Sequence, residues 1–363
     1  MLAACASAPP PVARTLPAPA AAPAEAAPRA SAPLMQPRSR WTPVAWSELP
    51  GWLDDPLHEA WNAWLKSCER PGPVFAPLCG EVRQLSIATL QEQQAWMMAR
   101  LQPYRVEPLQ EGLEGGLLTG YYEPVLEASR VRNVNFAVPL YQPPASLGQR
   151  KPWFSRQEID TLPQAQSALR GREIAYLANP IDALVLQIQG SGRLRVTEAD
   201  GSQRTVRLAF AGTNDHPYRS VGRWLLDQRE VRDASWPGIK AWLAANPARV
   251  NELMWTNPRY VFFREEALPA LDAALGPRGA QGVPLTPGRS IAVDPQSIPY
   301  GTPVWLASSG AQVQLQRLVL AQDTGSAIVG AVRADYFTGT GATAAELAGR
   351  LKQPLRLWVL WPK

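Results

Sequence analysis

Ala321–Gly341 reads AQDTGSAIVGAVRADYFTGTG and sets Asp323 and Asp335 twelve positions apart among glycines and small residues. The apolar run LVLAQD predicts a strand that delivers Asp323 at its end. A glycine-containing loop then returns the chain to Asp335. An acid at a strand end beside glycine is ordinarily a turn former. Here the flanking residues Ile328, Val329, Val332, Tyr336 and Phe337 are apolar or aromatic, so the loop reads as packed. A packed carboxyl has a raised pKa and can hold a proton near neutral pH. Arg333 opposes that rise. A third acid, Asp294, lies in SIAVDPQSIPYGTPVWL, a strand followed by a proline turn. Turn chemistry and a carboxylate active site both remain open at this point.

Working outward, strands dominate from Gly282 onward (SIAVD, PVWLAS, VQLQRLVLAQD, RLWVLW), with one short helix near 342–351. Toward the N-terminus, 56–68 and 81–102 carry helical periodicity. GLLTGYYEPVLEAS has the β-branched, aromatic and glycine texture of strands and turns. ALVLQIQGSGRLRVTEADGSQRTVRLAF reads as three strands, joined at Gly190-Ser191-Gly192 and at Asp200-Gly201. Amphipathic segments near 217–230 and 236–246 precede another strand, NPRYVFFRE. No internal repeat is present. This β-rich pattern with helical decoration predicts a barrel in preference to a doubly wound sheet.

Composition narrows the function. The chain has 363 residues, 46% of them hydrophobic, and a net charge of +5. Its basic residues are scattered without a run of five or six, which argues against nucleic acid as a partner. Fourteen tryptophans are unusual: many belong to the core, and some surplus would suit sugar rings. No stretch of 18 apolar residues free of proline and charge occurs. G-x-S-x-G and H-E-x-x-H are both missing, and the only histidines are His58 and His216. With no C-x-x-C either, neither a metal site nor a cofactor is expected. QGSG lacks the Lys-Ser/Thr ending of a phosphate loop and reads as a tight turn whose glycines let a polymer approach the backbone.

The N-terminal 1–38 is read as a tether, rich in Ala and Pro from Ala6 to Pro33. LAAC, ending at Cys5, resembles a lipobox whose cysteine becomes lipid-modified. Such a box needs a basic and then an apolar segment before it, so an upstream signal is expected. The other reading is a chance cysteine in an Ala-rich tail. In an exported chain Cys68 and Cys79 are expected to pair, the alternative being two buried thiols.

Five blocks in order, GLLTGYYEPVLEAS, REIAYLANPIDALVLQIQGSGRLRV, NPRYVFFRE, GVPLTPGRSIAVDPQSIPYGTPVWL and AQDTGSAIVGAVRADYFTGTG, resemble the membrane-bound lytic murein transglycosylase A family. The C-terminal part resembles the three-aspartate domain, with Asp294, Asp323 and Asp335 as its namesakes. The resemblance implies a mainly β fold: a double-psi β-barrel domain (39–123 and 263–363, with N-terminal helices) carrying an inserted smaller β-domain (124–262). It implies cleavage of the β-1,4 bond between N-acetylmuramic acid and N-acetylglucosamine in peptidoglycan, with Asp335 as catalytic acid and Asp323 as its support. Thr119, Gly120, Tyr121, the turn Gln189, Gly190, Ser191, Gly192, and Asp294 and Gly325 would line the glycan groove. It also implies the periplasmic face of the envelope, an outer-membrane anchor through Cys5, and wall-growth complexes as partners. The chain departs from the family pattern at Ala334, Asp215 and Thr338. A water-using glycoside hydrolase and a non-catalytic wall-binding protein are the rival readings.

Overall fold

A computed structural model describes residues 32–110, 115–269, 272–311 and 313–363. The strands are β1 (Leu34–Met35), β2 (Ser39–Pro43), β3 (Leu101–Pro108), β4 (Gly116–Glu123), β5 (Val125–Ser129), β6 (Val138–Tyr141), β7 (Glu173–Leu177) and β8 (Gly192–Thr197). They continue with β9 (Gln203–Thr213), β10 (Val261–Ala267), β11 (Ser290–Val293), β12 (Pro303–Ser309), β13 (Gln314–Asp323), β14 (Arg333–Thr340) and β15 (Lys352–Pro362). The helices are α1 (Leu57–Ser67), α2 (Cys79–Gln84), α3 (Leu90–Arg100), α4 (Arg156–Thr161), α5 (Pro163–Leu169), α6 (Pro180–Gln189), α7 (Val221–Asp227), α8 (Trp236–Ala245), α9 (Val250–Trp255) and α10 (Ala342–Arg350).

Six strands close a ring in the order β15-β12-β13-β11-β14-β4, and β4 returns to β15. Closure falls at Leu355, which pairs with Gly116 of β4 and with Ser308 of β12. Two junctions, β11–β13 and β14–β4, are parallel, and the other four are antiparallel. This is the double-psi β-barrel that the resemblance implies. Its interior is filled by aliphatic and aromatic side chains, among them Ile291, Val304, Val319, Tyr336 and Val359. Closing the ring removes the sheet edges that would otherwise expose unpaired backbone. The folded unit begins at Pro33, earlier than the tether boundary read at 38. Leu34 and Met35 already pair with Trp41 and Arg40.

A layer of α1–α3 covers one side of the barrel. Leu57, Ala60, Trp61 and Trp64 recur at helical spacing and are buried against Trp305 and Trp358. The predicted helix over 81–102 is instead two helices, because Leu85–Ile87 tightens into a 3-10 turn and Thr89 starts a new helix with a capping box to Glu92. Cys68 and Cys79 are disulfide-bonded, with a Cα–Cα distance of 5.5 Å, and close the loop between α1 and α2. Arg289, wholly buried, ties this layer to the barrel through Asp55 (2.8 Å), whose carboxylate also accepts from the Leu318 N–H.

A second sheet of six strands, ordered β10-β9-β8-β5-β7-β6, lies between β4 and β11 in sequence. The strand expected over 183–189 is a helix, α6. Asn179 caps it by accepting from the Ile181 N–H, Pro180 occupies the first turn, and Gly190 ends it in the left-handed region at φ 81°. The turn at Gly190-Ser191-Gly192 therefore joins a helix to a strand. Glu123, fully buried, holds the two sheets together. It accepts from Arg193 of β8 (2.7 Å), Arg207 of β9 (2.7 Å) and Thr340 of β14 (2.9 Å).

Candidate active site

Ala292 of β11 pairs with Asp323 on one side and with Asp335 on the other. The two acids, distant along the chain, are thus neighbours across a single central strand. Both residues are half-buried and line the floor of a groove of about 740 Å³. One bank is formed by barrel residues and the other by the second sheet and the C-terminal end of α6.

Each acid has its own holder. Thr119, the β4 register partner of Asp335, donates its hydroxyl to Asp335 Oδ1 at 2.6 Å and accepts from Arg333 Nη2 at 2.8 Å. Asp323 accepts from the Tyr121 hydroxyl at 2.9 Å and from the Ala280 N–H at 2.9 Å. Burial pushes the Asp323 carboxyl up to about 6 against the pull of these donors and of the Thr324 N–H, and the nearby Asp335 adds to the rise. Burial also raises Asp335, while the Thr119 hydroxyl and the Arg333 guanidinium pull it back. Burial and the adjacent Asp323 hold the Tyr121 phenol well above its usual range, so it stays a donor.

The loop between the acids is pinned from β11. Asp294 is almost wholly buried and accepts from the Gly330 N–H (2.9 Å) and from Arg38 (3.0 Å). Its carboxylate thus supports the loop, and Asp294, expected among the substrate contacts, is not among the residues that line the groove. Thr324 and Ser297 add bonds to the Val293 and Ala331 carbonyls.

The remaining expected residues divide. Gln189, Gly190, Ser191 and Gly325 line the groove. Gln189 also accepts from the Tyr122 N–H at 3.0 Å, which fixes the turn against β4. Gly120 and Gly192 stand behind the surface. A Cβ on Gly120 would lie 2.7 Å from the Ala348 Cα of α10, and one on Gly192 would lie 2.3 Å from Leu186 Cδ1. Both glycines serve close packing. Cys5 lies outside the described residues. The tryptophan surplus goes to cores, as the packing of Trp61, Trp64, Trp96, Trp305 and Trp358 shows, and the aromatic side chains lining the groove are Phe210 and Tyr218. His216 bonds the Trp153 carbonyl at 2.8 Å and His58 is solvent-exposed. Among the described residues no group of three or more His, Cys, Asp or Glu could hold a metal ion, and no helix is long and apolar enough to cross a membrane.

Sequence reasoning missed Glu123 and the arginines of the groove wall. An acid within the YYEP stretch followed by scattered arginines carries no local signal.

Residues 117–264 match the family described as the MltA specific insert domain, and residues 289–361 match the 3D domain. The membrane-bound lytic murein transglycosylase A of Escherichia coli strain K12 is 36% identical over 254 residues, 67% of this chain and 64% of that protein. The match thus spans less than two thirds of that relative's length. The structure of LtgG, a lytic transglycosylase of Burkholderia pseudomallei, is 44% identical over 89% of this chain and 95% of its own, with a TM-score of 0.61. The structure of E. coli MltA with bound chitohexaose is 25% identical, covers 91% of this chain and 93% of its own, and has a TM-score of 0.69. Likeness along nearly the whole of both chains puts the protein among the lytic transglycosylases. Within it, the chain belongs to the membrane-bound lytic murein transglycosylase A family.

Proposed function

We propose that this protein is a lytic transglycosylase that cleaves the β-1,4 bond between N-acetylmuramic acid and N-acetylglucosamine in peptidoglycan. The observation that carries the reading is the pair of carboxyls flanking Ala292 at the floor of an open groove. Ordinary glycosidases use one carboxyl as acid and a second as base or nucleophile. Here the muramyl C6 hydroxyl attacks its own anomeric carbon and closes a 1,6-anhydro ring, so the nucleophile is already tethered. Asp335 protonates the leaving oxygen and then, as carboxylate, accepts the C6 proton. Thr119 and Arg333 hold it in place. Asp323 supplies a second carboxyl beside it and stabilises oxocarbenium character. Gln189, Gly190, Ser191 and Gly325 contact the glycan. Residues 124–262 form the inserted domain of this reading.

The product tests it. Sacculi digested with the purified protein should release disaccharide-peptides that are lighter by one water than hydrolysed ones and resist borohydride, because the anhydro ring leaves no reducing end. Predominantly reducible muramic ends would replace this reading with a hydrolase.

The proposal extends to location. Relatives bear the name membrane-bound, and Cys5 ends a lipobox-like LAAC, so we place the protein at the periplasmic face of the outer membrane as a lipoprotein. Labelled palmitate should enter the chain and fail to enter Cys5→Ser. Labelling that survives the substitution would remove the anchor.

A further inference from the structure

The groove is lined by six arginines (Arg70, Arg156, Arg259, Arg264, Arg278 and Arg333) against two acids, Asp323 and Asp335. The sugar rings of a murein strand are uncharged, so such a lining exceeds what the rings require. Arg264 is matched by Glu266, and Arg333 leans on Thr119 beside Asp335. On the bank formed by the second sheet, Arg156 and Arg259 have no carboxylate within 4 Å among the described residues, and both line the groove.

Arg156 is the more telling of the two. It is 4% exposed, yet its partners are neutral: the Asn257 carbonyl (3.1 Å), the Arg259 carbonyl (2.7 Å), the Gln187 amide oxygen and the face of Tyr260 at 5.0 Å. Burial lowers its pKa, and the smaller opposing pulls come from Tyr260 and from Asp160, which makes no ion pair with it within 4 Å. Arg259, half-buried, spends one N–H on the His216 carbonyl at 3.2 Å. The acid whose charge acts on it, Asp215, sits beside Lys151. A buried charge without a partner is costly, and a planar guanidinium matches a carboxylate fork.

We propose that Arg156 and Arg259 form a carboxylate subsite on this bank, occupied by the acid that a muramyl residue carries on its lactyl group or on the peptide attached to it. The inference rests on the function proposed above and identifies which part of the polymer that groove recognises beyond its rings.

The test compares three ligands on the full chain: glycan strands bearing stem peptides, strands stripped by an amidase so that only the lactyl carboxylate remains, and neutral chitohexaose. Arg259→Gln should raise the Kd for the carboxylate ligand about tenfold, as loss of a charge-assisted hydrogen bond does, and shift that for chitohexaose less than twofold. Arg259→Lys should recover most of the affinity. Arg195→Gln, an exposed change of equal net charge away from the groove, should leave all three values where they were. An effect that persists on stripped strands assigns the lactyl group, and one confined to peptide-bearing strands assigns the stem. Methyl-esterified strands give the same reading without a mutation. They should bind the wild type about tenfold more weakly than free acids do, and bind Arg259→Gln no more weakly. Equal losses on chitohexaose, or unchanged binding of the ester, would overturn the subsite. Product analysis keeps the two readings apart: Arg259-dependent binding with reducible products would sink the transglycosylase and leave the subsite standing.

Discussion

Thr119 and Asp335 are register partners on parallel strands, and the Thr119 hydroxyl donates to Asp335 Oδ1 at 2.6 Å. A carboxyl that must both give and take a proton has to keep one oxygen fixed and leave the other to the substrate. Asp335→Asn preserves shape and removes proton exchange, so activity on sacculi should fall on the order of 100- to 10,000-fold while the fold survives. Asp323→Asn should cost less, because Asp323 acts through its neighbour. Full activity in Asp335→Asn with loss in Asp323→Asn would exchange the two roles.

Arg333 pulls the Asp335 pKa down. Removing the guanidinium should therefore raise that pKa and keep the acid protonated to higher pH. In Arg333→Gln, the alkaline limb of kcat/KM against pH should move upward. A downward move would mean that the guanidinium contributes chiefly by placing Thr119.

Asp323 carries a stability signature independent of catalysis. Its folded value of about 6 lies above the 3.8 of an ordinary Asp, so the folded state binds the proton more tightly than the unfolded chain does. The contribution is favourable below the unfolded value and is lost as pH rises toward the folded one. At pH near 7.5 the buried charge is a net cost, and Asp323→Asn should stabilise the protein on the order of 2 kcal/mol, with the gain gone near pH 4. Urea denaturation at both pH values measures it. Equal stability at both would mean the carboxylate is fully satisfied by Tyr121 and Ala280.

Glu123 sits between two guanidinium groups with its own side chain fully buried. Glu123→Gln leaves Arg193 and Arg207 without their shared counter-charge, and unfolding free energy should drop by about 3–5 kcal/mol. A loss under about 1 kcal/mol would show that the carbonyls of Ala273 and Leu275 suffice for both arginines.

The strand-loop-strand around the acids was legible in sequence because an apolar run, a glycine loop and an aromatic strand each carry a local signature. The second sheet was harder. Ala183-Leu184-Val185-Leu186 fits a buried strand as well as a buried helix, and only Asn179-Pro180 before it and Gly190 after it distinguish the two. The role of Asp294 was hidden for a different reason: its partners Arg38 and Gly330 stand 256 and 36 positions away. Composition misled on tryptophan, since a count records supply and burial decides use. Arg156 reads as an ordinary helix-start residue until Asn257 and Arg259 arrive from about a hundred positions downstream.

Ala292 has a practical meaning for anyone re-engineering this molecule. The gap between the two acids is set by backbone ladders on either side of one small residue, and no residue of the segment 324–332 is a register partner in either ladder. The segment behaves as an interchangeable tool head on a fixed chuck. Grafting its exposed residues, Ser326, Ala327 and Val329, should retune which strand ends are accepted while the proton-transfer distance stays as the barrel sets it.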